Sequence, residues 1–107
     1  MVRHIFLWKP APDVDPADTI RILNQLPAKI PWIRGWEIGK HHGPKRYENT
    51  WDYGMTVDFD SLEDYNAYCD HPLHKEIVPQ IVPMFAARAV VDIVLDDSKK
   101  IQAKKSE

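Results

Sequence analysis

Four segments of the chain carry the hydrophobic patterns of β-strands. Residues 2–8 and 51–59 alternate in the manner of strands, and residues 32–39 form a shorter segment of the same kind. Residues 89–95 are rich in β-branched side chains, which favour extended backbone. Because turn-forming or polar residues separate these segments, we predict four distinct strands.

A helical pattern lies between the first two strands. Asp15 followed by Pro16 is typical of a helix N-cap and the first helical position. Apolar side chains then recur at helical spacing, at Ile20, Leu23 and Leu26. Pro27 has no backbone N–H to continue the helix, so we expect it to end or kink this element.

A second helical region follows the third strand and is interrupted. Ser61 can cap its start, and Asp64 stands three residues later, close to the pattern of a capping box. We predict a short helix over residues 62–69, which the dipeptide His71-Pro72 interrupts. The proline can open a further helix that runs towards residue 84.

The resulting element order, β, α, β, β, α, β, is the split βαβ arrangement of a ferredoxin-like α+β fold. It predicts a four-stranded antiparallel sheet with the helices on one face. In the first strand His4, Phe6 and Trp8 share one face, while Ile5 and Leu7 share the other. Because both faces carry apolar side chains, we expect the helices to cover one and a second copy of the chain to cover the other.

Size and composition limit the number of domains that the chain can form. A chain of 107 residues, 44% hydrophobic and 28% charged, fits one globular domain, to which we assign residues 1–95. Residues 96–107 read as a polar C-terminal tail.

The formal charge of -2 gives no broad attraction to nucleic acid or membranes, so we expect neither partner. The single cysteine, Cys69, and the absence of an evident signal peptide predict a cytoplasmic protein.

Three segments of the chain together form a sequence pattern that is typical of one protein family. They are residues 2–7, 30–39 and 59–74, and the most specific part is the His-Pro-x-His element of residues 71–74. The pattern resembles the stress-responsive A/B barrel (Dabb) family and extends over residues 2–95. The resemblance implies a homodimeric α+β barrel. That expectation agrees with the two apolar faces of the first strand.

The same resemblance implies a candidate site. The family includes plant stress proteins, uncharacterised bacterial proteins and olivetolic acid cyclase, a polyketide cyclase that works without a cofactor. A histidine and a tyrosine on the broken helix of that cyclase act on its substrate, and they match His74 and Tyr68. His4 matches a pocket histidine on the first strand. Tyr53 stands where the cyclase has another histidine, which is a departure within the pocket.

His74 and Tyr68 also suit a particular chemistry by residue type alone. A neutral imidazole can remove a proton near neutral pH, and a phenol can donate to an oxygen on which negative charge develops. The pair would suit abstraction of a proton α to a carbonyl group. The structural alternative is that His74 only satisfies a buried hydrogen bond.

Further pocket residues are predicted from strand faces and from the helix break. We expect His4 and Tyr53 to orient the substrate, in a pocket whose other candidate contacts are Phe6, Trp8, Trp36, Met55 and His71. Each has a structural alternative. The apolar side chains and His4 could be ordinary core residues, and His71 could cap the second part of the broken helix.

We therefore predict a cofactor-independent lyase, cyclase or isomerase acting on a small hydrophobic or aromatic carbonyl compound. A cofactor-less monooxygenase is a close alternative, and a non-catalytic ligand-binding or stress-responsive dimer is an alternative of another class. We expect no metal site, because the adjacent His41 and His42 lack the spacing of strong ligand sets. The polar loop over residues 40–50 that holds them is a candidate cover for the pocket.

Overall fold

The sheet confirms the predicted ferredoxin-like α+β arrangement. The computed structural model describes residues 1–44 and 50–95, and the predicted tail over residues 96–107 lies outside the described residues. The strands are β1 (Val2–Pro10), β2 (Gly35–Lys40), β3 (Tyr53–Phe59) and β4 (Phe85–Val94). Within the described part of the chain they form one antiparallel sheet in the order β2-β3-β1-β4.

The strand limits differ from the prediction most clearly at β4, which begins at Phe85 rather than at Ala89. β4 pairs with β1 along nearly its whole length, and the pairing reaches Pro10 across an irregularity in register. Pairing with a distant strand therefore extends β4 into a segment that has no strand pattern of its own. β2 and β3 both begin later than predicted, at Gly35 and Tyr53.

The helices are α1 (Pro16–Leu23), α2 (Gln25–Lys29), α3 (Leu62–Asp70) and α4 (Pro72–Ile81), and a 3₁₀ turn over Val82–Met84 leads into β4. The predicted cap of α1 is confirmed, because the Asp15 carboxylate accepts a hydrogen bond from the backbone N–H of Ala17 at 2.9 Å. These helices lie on one face of the sheet and enclose the main hydrophobic core.

The first helical region breaks earlier than predicted. α1 ends at Leu23 and α2 begins after Asn24, so the break precedes Pro27, which lies inside α2. Pro27 has no N–H for the carbonyl of Leu23, and its ring crowds that carbonyl. The effect of a proline falls on the preceding turn, which explains the position of the break.

The second helical region has the predicted cap and the predicted break. The hydroxyl of Ser61 accepts a hydrogen bond from the N–H of Asp64 at 3.1 Å. His71 has extended backbone, and its Nδ1 accepts a hydrogen bond from the N–H of Leu73 at 3.1 Å. His71 thus ends α3 and caps α4, which allows the chain to change direction between the two helices.

The strand registers decide which side chains meet the helices. His4 is paired with Val57, Phe6 with Met55 and Trp8 with Tyr53, and paired residues of antiparallel strands point to the same face. This face holds most of the core. Its fully buried large side chains include Trp8, Tyr68, Phe59, Leu23, Leu26, Ile30 and Ile77.

The opposite side of the sheet, here called the open face, carries Ile5, Leu7, Val91 and Ile93. Ile5 and Leu7 are half-buried, but Val91 and Ile93 remain 52% and 41% exposed. A groove of about 530 Å³ lies on this side and includes Ile5 and Leu7 in its lining. Among the described elements of one copy of the chain, none covers this apolar surface.

Candidate functional site

A cavity of about 370 Å³ lies between the helix-covered face of the sheet and helices α3 and α4. Its walls are mainly apolar, with contributions from α1, α2, β1, β3 and β4 as well. The polar side chains in its lining are His4, Tyr65, Tyr68, Cys69, His74 and Arg88. An apolar cavity with a few convergent polar groups has the usual form of a small-molecule site.

The break between α3 and α4 places Tyr68 and His74 side by side in this cavity. Tyr68 lies in the last turn of α3 and His74 in the first turn of α4. Their rings meet edge to face, with centroids 4.7 Å apart. Phe59 of β3 packs against Tyr68 from the sheet, at 4.9 Å between ring centroids. The tyrosine is therefore fixed by the core while the histidine lies against it.

Burial determines the charge states of these two groups. It is the main cause that lowers the pKa of His74, and the neighbouring His4 acts in the same direction, while a hydrogen bond to the backbone of Cys69 opposes them. Burial also raises the pKa of Tyr68. A neutral imidazole and a protonated phenol therefore stand together at neutral pH, the forms that a general base and a hydrogen-bond donor require.

A hydrogen-bonded cluster of His4, Asp92 and Tyr65 forms another wall of the site. His4 Nδ1 lies 2.6 Å from the Asp92 carboxylate, and the Tyr65 hydroxyl donates to the other carboxylate oxygen at 3.1 Å. Since a carboxylate accepts, Nδ1 of His4 carries a proton, and Nε2 is the ring nitrogen that Asp92 does not engage. The cluster holds the imidazole of His4 in one orientation.

Sequence reasoning missed Asp92 and Tyr65. Asp92 is directly opposite His4 in the β1–β4 register, although 88 positions separate the two residues in the chain. One signal was available, because Asp92 is an acidic residue within the β-branched segment of the last strand. Tyr65 precedes Tyr68 by three positions on α3, a spacing that puts both on one helix face.

The structure brings some of the predicted pocket residues together and separates others. His4, Phe6, Met55, Tyr68 and His74 all line the cavity. The predicted contacts that lie outside its lining are Tyr53, Trp8, Trp36 and His71.

Each of the separated residues has a structural partner elsewhere. Tyr53 stacks on Trp8 at 5.3 Å between ring centroids, at the opposite end of β1 from His4. Trp36 on β2 donates its indole N–H to Asn24 at 2.8 Å. His71 caps α4 and faces the edge of Trp32. Their positions follow from strand order and helix capping, which a list of residue types does not reveal.

The two loop histidines stay apart from the cavity, since neither appears in its lining. The backbone N–H of His41 donates to the carbonyl of Asp52 at 2.7 Å, which joins the ends of β2 and β3. In the part of the chain that the structure describes, no group of three His, Cys, Asp or Glu side chains could hold a metal ion. Among the described helices, none has the length and apolar character needed to cross a membrane.

The sheet order, the one-sided helices and the cavity beneath them define a ferredoxin-like α+β protein. The model of the stress responsive A/B barrel domain (Dabb) family matches residues 2–95, and the chain belongs to this family. The resemblance noted from the sequence is thereby confirmed. A sequence search among curated proteins gives no match.

Several solved structures share the fold. A dimeric ferredoxin-like protein of unknown function from Thermobifida fusca is 32% identical, with a TM-score of 0.73, over 88% of this chain and 90% of that chain. A dimeric protein of ferredoxin-like fold from Bacteroides fragilis is 31% identical, with a TM-score of 0.63, over 88% and 95% of the two chains. The hydroxynitrile lyase of Passiflora edulis is 19% identical, with a TM-score of 0.79, over 90% of this chain and 94% of that chain. At that identity the lyase indicates the common fold alone.

Proposed function

We propose that this protein is a cofactor-independent lyase, cyclase or isomerase that abstracts a proton α to a carbonyl group of a small hydrophobic or aromatic compound. The observation that carries the proposal is the contact between His74, whose pKa is lowered by burial, and the buried Tyr68 in an apolar cavity. His74 is the base, and Tyr68 is the donor to the oxyanion.

The proposed step balances without another reagent. The neutral imidazole of His74 takes the proton from the α-carbon, and the electrons of the C–H bond move to the carbonyl oxygen as an enolate. The Tyr68 hydroxyl donates a hydrogen bond to that oxygen as its charge develops. The enolate then attacks a second carbonyl, expels a leaving group, or takes the proton back from His74 at another carbon. These three outcomes correspond to a cyclase, a lyase and an isomerase.

The cluster of His4, Asp92 and Tyr65 supports the same proposal by orienting the substrate. Because Nδ1 of His4 is engaged by Asp92, Nε2 is the nitrogen that can hydrogen-bond to a polar group of the substrate. The hydroxynitrile lyase of Passiflora edulis shows that this fold can carry lyase chemistry in another protein. A fold alone does not choose a reaction, so the chemistry of His74 and Tyr68 carries more weight.

We expect the protein to accelerate exchange of α-protons for deuterium in small aryl ketones. The assay follows the loss of the α-proton signal by proton NMR in D₂O, across a panel of neutral and acidic ketones, with the buffer rate subtracted. Only the neutral imidazole accepts a proton, so the enzymatic rate should fall as the pH drops through the pKa of His74, which lies below its ordinary value of 6.5. The pKa of Tyr68 lies above its ordinary value of 10.0, so ionisation of this tyrosine should cause no decline at moderately alkaline pH.

His74→Gln is the matched control for this assay, since it keeps a polar side chain of similar size without the base. Exchange that persists in this variant would assign the activity to another group. An absence of exchange across the whole panel would favour the non-catalytic binding protein, because the cavity would then serve to hold a ligand only.

We also propose that the chain forms a homodimer through the open face. Ile5 and Leu7 lie beside the exposed Val91 and Ile93 on that face, and the relatives from Thermobifida fusca and Bacteroides fragilis are themselves dimeric. A closed twofold assembly would remove this apolar surface from water.

We expect Leu7→Glu to shift the protein from dimer to monomer, because the substitution places a charge at the centre of an apolar interface. Light scattering at micromolar concentration measures the mass of both proteins. Leu62→Glu is the matched control, since Leu62 is 52% exposed at the start of α3 and away from the open face. A wild-type protein that is monomeric and folded at this concentration would contradict the dimer.

A further inference from the structure

Arg88 stands at the edge of the candidate site on β4. It is paired with Trp8 in the β1–β4 register, so it shares the sheet face of His4 and Phe6, and it lines the cavity. The residue itself is exposed. It therefore provides a positive charge where the apolar cavity meets solvent.

Arg88 differs from the other arginines of the described residues in having no acidic partner. Arg3 pairs with Asp58 at 2.8 Å, Arg21 with Asp18 at 3.0 Å, and Arg34 with Asp60 at 2.9 Å. Over residues 1–44 and 50–95, Arg88 takes part in no ion pair and no side-chain hydrogen bond. A guanidinium group that is free in this way can bind a carboxylate through two parallel hydrogen bonds.

The acidic residues near the cavity do not compensate this charge. Over residues 1–44 and 50–95 the cavity lining contains no Asp or Glu, and the carboxylate of Asp92 accepts hydrogen bonds from His4 and Tyr65. Asp92 lies four positions along β4 from Arg88, which is roughly 13 Å in a strand. The positive end and the His4 end of the site are therefore separated by an apolar span that includes Phe6 and Val90.

From this arrangement we infer that the substrate is an apolar or aromatic keto acid, whose carboxylate binds Arg88 while its ketone end reaches His74 and Tyr68. The inference rests on the proposed function and adds the substrate class to it. The cavity volume of about 370 Å³ fits a ligand of modest size, with one ring or a short acyl chain between the two polar ends.

The test compares two probes of nearly the same shape, the anionic 4-oxo-4-phenylbutanoate and the neutral 4-oxo-4-phenylbutanamide. Isothermal titration calorimetry measures the binding of each to the full chain. We expect the wild-type protein to bind the acid about tenfold more tightly than the amide, a factor in keeping with one charge-assisted pair near solvent. Arg88→Gln should remove this preference and leave the affinity for the amide unchanged, while Arg88→Lys should keep part of it.

The controls separate this inference from the proposed function. Arg21→Gln removes an arginine that lies on α1 and pairs with Asp18, and it should leave the preference for the acid intact. His74→Gln should also keep the preference while abolishing deuterium exchange. Exchange in the wild type without a preference for the acid overturns the inference and leaves the proposed function standing. A preference for the acid without any deuterium exchange overturns the proposed function. If neither probe binds at millimolar concentration, the inference that the substrate is a keto acid is overturned.

Discussion

Replacing His74 with alanine is expected to lower the rate of deuterium exchange, and kcat for any substrate identified, by about 100-fold or more, the usual scale of general-base catalysis. His74 is the cavity histidine whose pKa is lowered by burial and which meets the ring of Tyr68. Loss of its imidazole removes the group that receives the proton, whereas binding through the apolar walls is retained. The effect should therefore appear in kcat more than in KM.

Two further variants make this result specific. His42→Ala removes a histidine from the exposed loop outside the cavity, and it should leave the rate unchanged. Tyr68→Phe keeps the ring that packs on Phe59 and removes only the donor, so we expect a smaller loss in kcat and little change in Tm. A His74→Ala protein with wild-type kcat would exclude His74 as the base.

A large loss of stability is expected from Phe59→Ala, which should reduce the free energy of unfolding by about 3–5 kcal/mol. Phe59 is 0% exposed at the end of β3. Its ring lies 5.4 Å from that of Tyr65 and 4.9 Å from that of Tyr68, so the substitution leaves a void under α3. A small domain has a total stability of about 5–15 kcal/mol, so this loss would be a large part of it.

Urea denaturation followed by circular dichroism measures this difference. Leu62→Ala is the matched control, because Leu62 is 52% exposed and should change the free energy of unfolding by about 0.5 kcal/mol or less. Phe59→Leu should fall between the two, since it fills part of the void. Similar values for Phe59→Ala and Leu62→Ala would show that α3 does not depend on this packing.

Local chemistry made much of the fold predictable. The Asp15 and Ser61 caps and the break at His71-Pro72 all depend on residues within a few positions of one another, and each is present in the structure. The alternation in β1 indicated correctly that His4, Phe6 and Trp8 share one face. Where the prediction was displaced, as at Asn24 and Phe85, the cause is a proline acting on the preceding turn or a partner strand that extends the pairing.

The candidate site was only partly accessible from the sequence. The family resemblance, supported by the chemistry of an imidazole and a phenol, pointed to Tyr68 and His74, and both line one cavity. The resemblance also implied a place for Tyr53 in this pocket, and the strand alternation puts it on the same face as Met55. Position along the strand separates them, since Tyr53 pairs with Trp8 and lies beyond the cavity lining.

By itself, the sequence determined the order of the elements, the helix starts, and the faces on which apolar side chains lie, because these follow from backbone preferences and periodicity over short distances. Only the tertiary structure decided that Asp92 pairs with His4 and that Arg88 stands at the same cavity, with no acidic partner among the described residues. Both depend on the register between β1 and β4, strands from opposite ends of the chain. A shift of one residue in that register would turn every β4 side chain to the other face, and no local pattern specifies it.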